Sequence, residues 1–243
     1  MNDIENTADI LEEVTFPRKF IKFGYIWSIT VIPFIFLLNL ENPIGRAVTG
    51  MALGLILIWT IICGKIMYQY RNGVKHLISK IRYRKTVFVI FSTGLAMFEE
   101  LITVTMTNTA GPIWGVSPKE AYITASTNYW EVVSQHSVIA FIPWIIAWAF
   151  ILDRYRFNPL WVYVLFGFTG TLPESSSFGW DNLINIGFWT NVYGLMVFLP
   201  AYSFVFPDTA KTPPKFMYIG VILLELLAMF VISGIVIFVS LLI

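Results

Sequence analysis

Cysteine and histidine are almost missing from this chain. Cys63 is the one cysteine, and His76 and His136 are the two histidines, in 243 residues. A single thiol excludes a disulfide framework and any thiolate metal cage, and two imidazoles exclude the histidine-rich sets of membrane di-iron enzymes. The residue supply therefore calls for no metal and no cofactor. Charge is scarce as well: Asp, Glu, Lys and Arg make up 13% of the chain, where a soluble domain carries about 25%. Apolar residues fill 57% of it and the mean hydropathy is +0.71, so a water-facing surface cannot be built. The expectation is an integral, multi-pass protein of the cell membrane. A basic-then-apolar leader is also lacking, because residues 1–15 are polar and acidic. That stretch is expected as a short, loosely ordered cytoplasmic tail before a single transmembrane helical domain over 16–243, whose first apolar segment serves as the insertion signal. There is no internal repeat.

What is present is a series of apolar runs. A membrane helix needs about 20 mostly apolar residues, and such runs fall near 20–40, 46–69, 86–107, 136–152, 159–173, 183–206 and 216–243. The fourth and fifth are short. The runs are continuous rather than alternating with period two, which excludes a transmembrane barrel, so the fold class is all-α with about seven transmembrane helices. Fourteen of the 16 basic residues fall on one side of this arrangement, leaving Arg46 and Lys119 on the other. The positive-inside rule then makes the N-terminus cytoplasmic and the C-terminus external.

Local signals place the connections. Ser117-Pro118-Lys119-Glu120 reads as a capping box with proline at the first helical position, predicting an interfacial helix over 118–134. Gly111-Pro112 ends the third helix after Asn108, Pro143 kinks the fourth, and residues 173–179 read as an external turn. The run from Lys75 to Lys85 reads as a basic amphipathic surface helix, with Lys75, Lys80, Arg82, Arg84 and Lys85 meeting anionic lipid headgroups; no nucleic-acid partner is expected. Trp114, Trp130, Trp161 and Trp180 stand at helix ends as an interfacial belt, whereas Trp144 and Trp148 are expected to pack against neighbouring helices.

Ionisable groups within a span cost about 2.5–3.5 kcal/mol on insertion scales and mark functional candidates. Glu99 and Glu100 are the foremost, about 100° apart around their helix, which suggests that one lines a cavity while the other bonds locally. Thr103 and Thr107 follow Glu99 on the same face, and the topology carries His136 and Asn191 toward the same external ends. A carboxyl pair, an imidazole and an amide could activate water and hold an oxyanion without a metal. His136 could equally cap its helix, with Glu131 or Glu174 as its partner. Glu225, deep in the last span, is expected to form a structural ion pair with Lys65.

The Glu99-Glu100 pair, with His136 on the next helix and Asn191 on a later one, resembles the CAAX-processing and bacteriocin-processing family of intramembrane glutamyl proteases over about residues 86–206. The resemblance implies metal-free peptide hydrolysis, with Glu99 or Glu100 activating water and His136 and Asn191 stabilising the oxyanion. Val104, Val132 and Gly187 stand where that family has arginine, an aromatic residue and histidine. Three readings follow: a membrane-embedded hydrolase of a lipid, isoprenoid or peptide; a proton-coupled carrier in which a glutamate titrates; and a non-catalytic subunit or scaffold whose polar groups join helices.

Overall fold

The computed structural model describes the backbone over residues 2–178 and 180–240, with side chains over 14–173 and 183–228. Among these residues the chain is all helical: α1 Asn2–Leu38, α2 Pro43–Leu55, α3 Gly64–Ile78, α4 Arg84–Asn108, α5 Tyr129–Gln135, α6 Ser137–Arg154, α7 Pro159–Phe178, α8 Ile186–Ser203 and α9 Phe216–Ser240. An isolated bridge between Tyr155 and Lys211 is the one strand-like pairing among them. Among the described residues five helices are long and apolar enough to cross a membrane: Val14–Leu38, Pro43–Ile78, Arg84–Asn108, Ser137–Arg154 and Leu183–Ser203. The backbone is helical from Asn2, so α1 takes in the acidic segment read as a tail.

The sequence explains the boundaries. Asn42 starts α2 by accepting the Gly45 N–H on its side-chain oxygen at 3.1 Å, and Pro43 fills the first helical position, where no N–H is needed. α2 then runs into α3 through a π-helical stretch, Ile56–Cys63, making one continuous helix of 36 residues. Wide turns leave carbonyls poorly matched; that of Thr60 accepts the Tyr25 hydroxyl at 3.1 Å. α4 ends at Asn108, whose amide donates to the Thr127 carbonyl at 3.1 Å and ties the following loop down.

α8 is the centre of the bundle. It has 72% of its apolar window buried and packs against α1, α3, α4 and α7. The α7–α8 contact depends on small residues that let backbones approach: a Cβ on Gly167 would stand 2.2 Å from the Thr190 carbonyl oxygen, and one on Gly194 would stand 2.5 Å from the Tyr163 ring. Across from them α6 fills the interior with Trp144, edge-on to Phe166, and Trp148, edge-on to Phe157.

Most basic residues share one end of this bundle; Arg46 and Lys119 do not. There Arg84 and Lys85 bond Asp153 at 2.7 and 3.3 Å, and the Lys211 segment pairs with Arg154 and Arg156 through the backbone. Tyr202 donates to Asn72 at 2.7 Å, with Lys75 over its ring. The loop 109–128 and the short 3-10 turn Trp180–Asn185 lie at the other end.

Four expectations are corrected. Residues 118–128 are turns, and the helix starts only at Tyr129. One turn does form, with Ala121 N–H on the Ser117 carbonyl, but Ala121 is buried and the Ile123 N–H is drawn off by the Thr107 hydroxyl at 3.3 Å. Tertiary bonding to α4 wins over the local signal. The basic run 75–85 is not a surface helix: it is the end of α3, a turn and the start of α4, with Arg84 and Lys85 engaged by Asp153. The expected turn at 173–179 is helical through Phe178; the side chain of Glu174 lies outside the described residues. Finally, Glu225 does not pair with Lys65. Its carboxyl is fully buried between α6, α7 and α9, beside Trp148 and Thr169, while Lys65 is exposed on α3.

Candidate functional site

α4 carries the polar face that the rest of the site is built around. Counting 1.5 Å per residue from Arg84, Glu99 and Glu100 stand roughly 20 Å along this helix, on the half remote from the basic end. Both are buried, at 3% and 5% exposure. Leaving carboxyls this deep in an apolar bundle is costly unless they are hydrogen-bonded. Glu99 accepts from Thr103 one turn on, at 2.8 Å, and Glu100 accepts from Thr124 of the loop at 3.3 Å. Tyr129 lies close by, its hydroxyl donating to the Met97 carbonyl at 3.1 Å. Burial and the neighbouring Glu100 carboxylate together raise the pKa of that hydroxyl.

The two glutamates border one cavity of about 510 Å³, within the roughly 300–1,000 Å³ of small-molecule sites. Its remaining walls come from five elements: Ile32 and Ile35 of α1, Thr49 and Leu55 of α2, Ser137 of α6, Asn185 of the 3-10 turn, and Phe188, Trp189 and Tyr193 of α8. The loop closes it with Tyr122, Ile123, Thr124 and Ala125. Tyr122 and Ile184, about half exposed, border it where it reaches the surface. One glutamate on a cavity and the other bonded locally was the expectation; both line the same cavity, Glu99 while also bonded to Thr103, and residues 122–125 fold over the side of α4 that Glu100 occupies.

His136 and Asn191 do not join them. His136 occupies the break between α5 and α6, with φ −127° and ψ −108°, and it is exposed with Glu131 4.0 Å away. A helix interrupted at that residue turns the imidazole outward. Asn191 is fully buried, but on the side of α8 that meets α7 and α1, where its side-chain oxygen accepts from Tyr163 at 2.9 Å and its amide stands against Gly24. The lining residues that sequence reasoning passed over are Thr124, Ser137, Trp189 and Tyr193. A single apolar run carries the last two with no polar signal to mark them.

Chemically the site offers two carboxyls, several hydroxyls and one amide inside an apolar enclosure. Compared with protein-family models, curated proteins and solved structures, the chain matches none of them.

Proposed function

We propose that this is a multi-pass cell-membrane protein of seven spans, N-terminus cytoplasmic and C-terminus external, whose external-side cavity receives an amphiphilic lipid, isoprenoid or lipidated peptide and hydrolyses it without a metal. In this reading one glutamate takes a proton from water as its oxygen attacks the acyl carbon. The other, carrying its proton, gives it to the leaving group. Hydroxyl and amide donors for the developing oxyanion come from Ser137 and Asn185 on the cavity wall, in place of His136 and Asn191. The observation that carries the reading is the burial of two carboxyls on one largely apolar cavity. Support for the orientation comes from the clustering of basic residues at the opposite end of the bundle.

The test is turnover of 4-methylumbelliferyl laurate and of a quenched farnesylated peptide by protein in nanodiscs. Glu99→Gln or Glu100→Gln should lower turnover by about 10²–10⁴-fold with thermal stability unchanged; equal turnover in both variants and wild type refutes the reading. A carrier is the second reading, favoured by His136 standing outside the cavity, which leaves the two glutamates as the acid–base pair of the site. It requires instead that either Gln variant abolish pH-dependent flux into proteoliposomes with no hydrolysis in the wild type.

A further inference from the structure

The charge of the cavity specifies what can enter it. Its described lining includes two carboxyls and no lysine, arginine or histidine. The two basic residues on this side of the chain are directed elsewhere: Arg46 donates to the Leu40 carbonyl at 3.1 Å, and Lys119 borders a separate hydroxyl-lined pocket beyond the loop. An anionic headgroup would therefore meet like charge in a medium of low dielectric, where such repulsion is strong. A cation would meet the oxygens of a carboxyl pair.

A second, independent feature points the same way. Consecutive turns of α8 put Phe188, Trp189 and Tyr193 on the cavity wall as one contiguous aromatic surface. Phe188 and Trp189 have ring centroids 4.6 Å apart, and Trp189 and Tyr193 stack at 5.6 Å with planes 12° apart. Aromatic faces carry negative quadrupole charge and attract ammonium groups, quaternary ones included. The apolar side chains Ile32, Ile35 and Leu55 leave room for hydrocarbon beside them. We infer that the cavity binds an amphiphile through a cationic nitrogen, an amine or quaternary ammonium set between the Glu99–Glu100 pair and the aromatic wall of α8, with its apolar body along α1 and α2. This deepens the proposed function by naming the substrate class, and rests on it only in taking the cavity as the substrate site.

The experiment compares three chain-matched, freely soluble probes on the full chain in dodecyl maltoside micelles: hexyltrimethylammonium, hexanol and hexanesulfonate. Binding is read by intrinsic tryptophan fluorescence and by thermal shift. The ammonium should saturate and bind at least about tenfold more tightly than hexanol, as a desolvated cation–aromatic contact alone provides, and hexanesulfonate should not saturate. Glu99→Gln/Glu100→Gln and, separately, Trp189→Leu should each weaken the ammonium severalfold while leaving hexanol unchanged. Equal affinity for ammonium and hexanol on the wild-type chain overturns the inference without any variant having to fold, as does saturable sulfonate binding. Glutamate-dependent hydrolysis without ammonium preference overturns this inference alone. Ammonium preference without hydrolysis upholds it and removes the hydrolase reading.

Discussion

Gly167 offers the sharpest physical test of the bundle. A Cβ there would stand 2.2 Å from the Thr190 carbonyl oxygen and 2.9 Å from both its carbonyl carbon and its methyl, whereas ordinary contact begins at 3.4 Å. Because the obstruction is backbone, no rotamer change relieves it. Gly167→Ala must therefore part α7 from α8 by about 1 Å, an overpacking that costs about 1–3 kcal/mol. Removing a helix-interior glycine returns about 1 kcal/mol, so the net loss is about 0–2 kcal/mol. For a chain of this size that is a fall in Tm of at most about 8 °C. Gly94→Ala is the control: it is in α4, a Cβ there meets nothing within 4 Å, and the same substitution should stabilise by up to about 1 kcal/mol. Thermal unfolding of the two variants in one detergent, followed by tryptophan fluorescence, separates them. A Gly167→Ala variant as stable as Gly94→Ala would refute the close α7–α8 approach, and with it the placement of the α8 aromatic wall.

Further perturbations have defined outcomes. Lys65→Gln should change stability by less than about 0.5 kcal/mol, as for an exposed residue without a partner; a loss of about 3–5 kcal/mol, the cost of breaking a buried pair, would restore the Lys65–Glu225 bridge. Asp153→Asn should cost under about 1 kcal/mol, because Arg84, Lys85 and Asp153 are all partly solvated, and the effect should shrink further as salt is raised. Asn42→Ala should cost about 1 kcal/mol by leaving the start of α2 uncapped, measured by the same melting assay.

How far the residues alone led can be judged element by element. The apolar runs located the helices, since length and continuous hydropathy are the membrane signal and need no tertiary knowledge. Glu99 with Thr103 was readable from the i, i+4 spacing of one helix, and the structure joins them by a hydrogen bond. The partner of Glu100 was not readable: Thr124 reaches it from a loop 24 residues away. The capping signal at Ser117 was sound as a local preference, and the chain makes the turn it encodes, but side-chain bonds from α4 take the next backbone donor. His136 was misplaced for a similar reason. Topology brings it to the right end of the bundle, but the break between α5 and α6 at that residue turns its side chain outward. Trp189 and Tyr193 carried no polar mark at all, so only the packing of α8 reveals them on the cavity.

The π-helical stretch Ile56–Cys63 acts as an angular spacer between the two ends of the molecule. On one side of it Thr49 and Leu55 line the cavity; on the other Gly64 lies against Leu195 of α8 and Met67 is buried. A π turn takes up about one more residue than an α turn, so tightening Ile56–Cys63 to α geometry with no residue removed would rotate everything from Gly64 onward by about 100° relative to α2. Met67 would swing away from the core and exposed Ile66 or Lys65 would move toward it. The cavity end and the basic end are thus held in phase through a single rod, and a change in the winding of that stretch would be felt as a twist at both.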